Sequence, residues 1–300
     1  MTEFKYTVKE SDSGCSIKEL LSRNFGFSSR FMTKLKQNRL IFLNGENMPG
    51  WVSPNPGDII TVTTPDETSD FPPEDIPVHV VYEDNDLLVI NKPSGISVHP
   101  TFNHPNGTLC NAVAAYLTKE NNYSSVARAV GRLDKVTSGV MIFAKNSFAA
   151  SKLNGNLDKT YLAVVTGTTQ ESGFIEAPVY RPDFNKTVRC VDEKGDYALT
   201  TYKTLFHYNN ISVVEVKTET GRTHQIRVHF SHIGHPLIGD EMYGGASTES
   251  ITRAALHCYQ VSFTHPVTNE LLTFKAPLPE DIKKEFEKNG ICVDKSNLFC

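Results

Sequence analysis

Apolar and polar positions alternate in two registers along the chain and divide it into a short N-terminal block and a long second one. In the first block, Phe4 to Val8 reads as a strand, and Ser16-Ile17-Lys18-Glu19 has the form of a capping box opening a helix that turns Ile17, Leu20 and Leu21 to one face. After Gly26, Ser28 or Ser29 can cap a second helix, with Phe31, Met32 and Leu35 inward, Arg30, Lys34 and Lys36 outward and Arg39 just beyond. A short strand, Ile41 to Leu43, meets the turn Asn44-Gly45, and Pro56-Gly57-Asp58 leads into a last strand, Ile59 to Val62. The pattern predicts a module over residues 1–64 with one strongly basic helix face.

Residues 65–77 are acidic, proline-rich and small, the composition of an extended linker. From Val78 the pattern is mainly that of strands. Val78 to Tyr82 and Leu87 to Asn91 flank a polar turn and run into Lys92-Pro93-Ser94-Gly95, and a helix follows over Thr108 to Tyr116. The stretch Gly131 to Lys145 reads as a polar loop entering a buried strand over Val140 to Ala144. Lys159 to Val165, Tyr202 to Phe206 and Ile211 to Thr218 are further strands, the last two joined at Asn209-Asn210, and a terminal helix spans Glu280 to Lys288. This succession predicts an α+β domain over residues 78–300, a mixed, mostly antiparallel sheet with flanking helices.

Composition narrows the class. Three hundred residues with 39% hydrophobic content suffice for a large domain and a small one. No apolar run approaches the ~20 residues of a membrane span, and the start lacks the apolar block of a secretion signal, so a cytoplasmic protein is expected. The six cysteines contain no C-x-x-C pair, which argues for reduced thiols against a zinc ribbon or disulfide framework. Much of the formal net charge of -4 comes from the acid between the two blocks, which leaves the basic helix face intact. Neither a Walker A loop nor a dinucleotide fingerprint is present, and no cofactor is expected.

The candidate chemistry centres on Asp134. Placed in a loop at a strand edge between Arg132 and Lys135, its carboxylate is favoured in the ionised form, ready to act as nucleophile or base. His224, His229, His232 and His235 raise a metal reading, but their spacing matches neither H-E-x-x-H nor paired Cys and His, so no metal is expected.

Arg132-Leu133-Asp134 followed by Thr137-Ser138-Gly139 resembles the central signature of the RluA-type pseudouridine synthases, which isomerise uridine within RNA; Gly131 stands where that family more often has histidine. Lys92 to Gly95 resembles a second family motif and Lys159-Thr160-Tyr161 a third. Thr220 to His229, with Gly234 to Asp240 and Tyr243-Gly244, resembles a fourth, and Ala254 to His257 the closing strand. The resemblance implies Asp134 as the catalytic carboxylate, Tyr161 stacking on the uracil and Arg227 ion-paired with Asp134. It implies Leu256 beside the base and Arg132 and Arg222 on the RNA side.

Residues 1–64 resemble the alpha-L RNA-binding module of a ribosomal small-subunit protein, with Arg30, Lys34, Lys36 and Arg39 meeting phosphates. A monomer acting on ribosomal RNA, or on transfer RNA, without cofactor or metal is then expected. The carboxylate would attack C1′ or remove the C2′ proton. Two other readings remain: a catalytically silent RNA-binding or ribosome-assembly factor, and a two-carboxylate nucleoside glycosidase, which needs a second acid near Asp134.

Overall fold

The computed structural model describes residues 2–65, 71–101, 104–119, 126 and 128–291. Part of the acidic stretch (66–70) and two of the six cysteines, Cys292 and Cys300, lie outside them; Cys15, Cys110, Cys190 and Cys258 are free thiols.

The chain opens with β1 (Glu3–Thr7), α1 (Ile17–Phe25), α2 (Ser29–Gln37), β2 (Ile41–Leu43), β3 (Glu46–Asn47) and β4 (Ile59–Thr63). The expected capping box forms: the Glu19 carboxylate accepts from the Ser16 N–H at 2.7 Å while the Ser16 hydroxyl accepts from the Glu19 N–H at 3.3 Å. Ser28, not Ser29, caps α2. The four strands form one antiparallel sheet in the order β1-β4-β2-β3. The two helices bury Ile17, Leu20, Leu21, Phe31, Met32 and Leu35 beside Phe4, Ile60 and Val62.

The remaining chain continues through β5 (Val80–Glu83), β6 (Leu87–Lys92), α3 (Leu109–Lys119), β7 (Arg128–Val130), β8 (Ser138–Ala144), α4 (Ser147–Leu153), β9 (Asp158–Thr166) and β10 (Ser172–Glu176). It then forms a small hairpin, β11 (Val179–Tyr180) with β12 (Cys190–Val191), followed by β13 (Leu199–Tyr208), β14 (Ile211–Thr218), α5 (Gln225–His232), β15 (Leu256–Thr264), β16 (Leu271–Lys275) and α6 (Glu280–Lys288). Ten strands make a single sheet of order β10-β13-β14-β9-β15-β8-β6-β5, with β16 on β15 and β7 on β8. β8 and β15 run parallel and the other pairs antiparallel, so the sheet is mixed and mostly antiparallel as expected. β8 is buried at every position, which explains its continuous apolar run.

The parallel junction of β8 and β15 depends on Gly139. Its φ is +120°, and a Cβ there would lie 2.1 Å from the Cys258 carbonyl oxygen. No side chain fits between the two backbones.

The N-terminal module is packed against the larger sheet. Phe148 of α4 enters the module's core, its ring 5.0 Å from Phe4, 5.2 Å from Phe27 and 5.6 Å from Phe31. The Thr2 hydroxyl donates to Asp86, whose carboxylate also accepts from Asn146 at 2.7 Å. The described end of the expected linker is docked as well: Pro72 accepts from the Asn111 amide at 2.9 Å, Glu74 accepts from the Gly107 N–H, and Phe71 packs on the main core. The described end of the stretch expected as a linker is therefore held against the larger domain.

Candidate active site

Asp134 lies on the loop between β7 and β8, and that loop is clamped from below. Lys92, fully buried, donates its ammonium to the carbonyls of Thr137 (2.7 Å), Pro93 (3.0 Å) and Lys135 (3.3 Å). Burial pushes the Lys92 ammonium down to about 7, against the attraction of Asp134. The Gly95 N–H donates to the Lys135 carbonyl at 2.8 Å. Arg253 donates to the Val136 carbonyl at 3.0 Å while its Nε and Nη2 hold Asp281 at 2.6 and 3.0 Å. The Lys92 to Gly95 turn is therefore a brace for the loop, with its lysine inside the protein and away from any phosphate. Arg253 is a second brace that sequence reasoning missed.

The carboxylate side chain of Asp134 is 13% exposed and faces three cationic or imidazole groups. Arg132 Nη2 and Arg227 Nη1 each approach it to 3.6 Å and His224 Nε2 to 4.0 Å. Lys135 is exposed and contributes its carbonyl to the brace. A small depression of about 60 Å³ above the carboxylate is lined by Arg132, Asp134, Tyr161, Arg222, Arg227 and Leu256, among others. Six residues expected at the site from four separate stretches thus share one pocket.

Tyr161 comes from β9, paired with β14 on one side and β15 on the other, which fixes its ring deep in the sheet. Burial pushes its phenol well above its ordinary value, with Cys258 and Asp134 adding to the effect, so it is neutral at physiological pH. Leu256, at the start of β15, supplies an apolar wall and is 4% exposed.

The loop from Thr220 into α5 is organised by Gln225. Its side-chain oxygen accepts from the Thr220 hydroxyl (2.7 Å) and the Arg222 N–H (3.0 Å), and its amide donates to the Leu199 carbonyl and the Thr200 hydroxyl at 3.0 Å each. His224 takes a left-handed conformation, φ +57°, at the helix start, and its Nδ1 hydrogen-bonds the Tyr243 hydroxyl at 2.8 Å. Burial pushes His224 down to about 4, the neighbouring arginines adding to the effect and Asp134 opposing it. At neutral pH it is a neutral imidazole facing the carboxylate.

Arg227 departs from expectation in one respect. Its nearest carboxylate is Asp240, bound through Nε and Nη2 at 2.7 Å each, while Asp134 is reached only by Nη1. Its guanidinium carbon also lies 4.9 Å from the Tyr243 ring centroid. Asp240 was present in the Gly239-Asp240 string but carried no signal for this pairing, because nothing in sequence spacing relates it to Arg227. With both oxygens held by the guanidinium, it does not serve as a second catalytic acid of a glycosidase pair.

His229 and His235 each have their own partners. His229 donates one ring nitrogen to the Ala177 carbonyl and bonds Thr200 with the other, and His235 bonds the Thr166 carbonyl. Arg222 leans over the pocket edge, donating to the Tyr197 carbonyl at 3.0 Å, and Arg132 bridges to the Thr223 hydroxyl at 2.7 Å. Arg30, Lys34, Lys36 and Arg39 lie on the N-terminal module, away from this pocket; Arg30, Lys36 and Arg39 are exposed and Lys34 is half-buried.

Residues 86–232 match the family model for RNA pseudouridylate synthase. The chain is 38% identical over 275 residues to ribosomal large subunit pseudouridine synthase D of Pasteurella multocida, covering 84% of each chain. It is 36% identical over 304 residues to the uncharacterized RNA pseudouridine synthase YlyB of Bacillus subtilis, covering 97% of this chain and all of the relative. Among solved structures, human RNA pseudouridylate synthase domain containing 1 is similar with a TM-score of 0.55 at 26% identity, covering 69% of this chain and 86% of that one. The human domain containing 4 protein shares the fold, with a TM-score of 0.58 at 23% identity over 71% of this chain and 93% of that one.

Proposed function

Because the chain belongs to the RluA-type family of RNA pseudouridine synthases, isomerases of uridine in RNA, we propose that Asp134 is its catalytic carboxylate and large-subunit ribosomal RNA its substrate. The observation that carries the catalytic assignment is the setting of Asp134: a carboxylate at the floor of a pocket, held on a braced loop and facing two guanidinium groups. In the reaction the N1–C1′ bond breaks, the uracil turns and a C5–C1′ bond forms. The C5 proton leaves and N1 gains one, so no atoms are added and no cofactor is required.

A flipped-out uridine enters the pocket with its ribose toward Asp134. The carboxylate attacks C1′ or removes the C2′ proton, and both routes need it held in a fixed orientation, which Arg227 and Arg132 on either side favour. The Tyr161 ring and the Leu256 side chain form the apolar walls against which the detached base is retained while it turns. The neutral phenol of Tyr161 packs against the base more readily than it takes a proton from it. Arg132 enters the space left by the flipped base and Arg222 meets the flanking backbone; the half exposure of Arg132, its hydrogen bond to Thr223 and the position of both side chains on the pocket lining support these roles.

The ribosomal target is supported by the large-subunit substrate in the names of several relatives and by the basic face of α2 on a module similar to the alpha-L RNA-binding fold. A pseudouridine map of cellular RNA by reverse-transcription stops after carbodiimide treatment tests the reading. Discrete large-subunit sites are expected to vanish in a strain carrying Asp134→Asn, with turnover reduced about 10³-fold or more. Retained modification by purified Asp134→Asn protein would overturn the catalytic assignment, and loss of sites only in transfer RNA would overturn the target.

A further inference from the structure

Where the N-terminal module sits on the larger domain, the two surfaces enclose a groove of about 710 Å³. One wall is α2, with Arg30, Lys34 and Gln37; the other is α4 and the start of β7, with Ser151, Lys152 and Arg128. Four of the residues lining the groove are cations and none is acidic, in a chain whose formal net charge is -4. The rest of the polar lining is hydroxyl and amide. Local positive potential of this kind in an acidic protein attracts a polyanion.

Two features make the groove a defined site. The Phe148 ring, seated against Phe4, Phe27 and Phe31, locks α2 and α4 together, so cations from the two domains stand at fixed separations. A Cβ on Gly26 would collide with the Lys152 ammonium, whose Nζ lies 5.6 Å from the Phe148 ring centroid; the absence of a side chain at Gly26, the αL residue closing α1, leaves room for that cation. The groove and the catalytic pocket are linked by one short stretch of chain. β7 starts at Arg128 and delivers the chain to Arg132, four residues on, a span of at most about 14 Å.

We propose that this seam binds the sugar–phosphate backbone of the substrate RNA beside the target uridine, so that both domains grip one strand and fix the distance from grip to Asp134. The inference rests on the reading of the substrate as structured RNA and names the surface that holds it. It assigns a binding function to Lys152 and Arg128, on the larger domain, in company with Arg30 and Lys34 of the basic helix. The contacts are to phosphates, so the groove contributes affinity and register with little base preference.

The test uses full-length protein and an in vitro transcript of large-subunit ribosomal RNA, with affinity measured between about 50 and 200 mM salt. Lys152→Glu and Arg30→Glu are each expected to weaken binding about tenfold and to lower the salt slope by about 1, with thermal melts confirming that both variants fold. Lys288→Glu on α6 serves as the charge control. A radical-generating iron chelate tethered at Ser151→Cys is expected to cleave the transcript within a few nucleotides of the modified uridine. Wild-type affinity and slope in both folded variants would overturn the proposal, as would cleavage scattered along the RNA; an acidic protein occupying the groove would give that first result. These readouts do not depend on turnover, so failure of the Asp134 assignment leaves its own separate trace in the pseudouridine map.

Discussion

Arg227 and Asp240 form a buried bidentate ion pair, 2.7 Å at each of two contacts, and only the remaining Nη1 of the guanidinium faces Asp134, at 3.6 Å. One carboxylate fixes the plane of the fork and the other receives its outward edge. The charge offered to Asp134 is thereby held in place without being consumed by a short, bidentate bond to it.

Removing the anchor should therefore be costly to both fold and site. Asp240→Ala leaves a buried guanidinium without its main partner, and a loss of about 3–5 kcal/mol in urea unfolding is expected, with a fall in turnover as Arg227 swings toward Asp134. A loss under about 1 kcal/mol would mean that the guanidinium finds water or another acceptor at little cost.

Lys92 should reveal itself through pH. Its folded-state pKa, about 7, lies below its ordinary value of 10.5, so the unfolded chain binds more protons between those values and this group makes stability rise with pH across that window. Lys92→Met should remove that rise. It also frees the carbonyls of Lys135 and Thr137, and a displacement of the Asp134 loop by about 1 Å would reduce kcat about 10²-fold. An unchanged dependence of unfolding free energy between pH 7 and 9.5 would show that Lys92 is not neutralised by burial.

His224 acts in the opposite region of the scale. Depressed to about 4 from 6.5, it is neutral in the fold while the unfolded chain takes up a proton between those values. Its contribution is fully present above pH 6.5 and is lost as pH falls toward 4. His257, also pushed down to about 4 by burial, adds to the same loss. His224→Gln should flatten part of the acid destabilisation followed by denaturant unfolding. The kcat profile between pH 6 and 8 should lack a histidine ionisation, and a titration of His224 near 6.5 by NMR would contradict this.

Gly139→Ala should fail more severely than an ordinary surface change. The new Cβ meets the Cys258 backbone, and the φ of +120° is unsuited to alanine, so a cost of about 3 kcal/mol or more is expected, read as a lower urea midpoint or insoluble protein. A stable Gly139→Ala protein would require β8 and β15 to separate.

Local chemistry is what a sequence carries, and here it carried a great deal. The capping box at Ser16, the inward faces of α1 and α2, the turn at Asn209-Asn210 and the buried run of β8 are consequences of neighbouring residues, and they were legible from periodicity and turn composition. The string around Asp134 and the one around Arg227 marked the pocket because each is a contiguous motif. What spacing could not convey are relations between distant stretches: Asp240 behind Arg227, Lys92 and Arg253 under the Asp134 loop, and Phe148 inside the N-terminal core. These depend on where strand order and register bring the backbone. The sequence by itself determined the N-terminal elements and the main strands, the family resemblance and the candidate carboxylate, since propensity and motif act over a few residues; only the tertiary structure decided the short elements between them such as α4 and α5, which charges face the carboxylate and how the two domains join, since packing alone fixes distances across the fold.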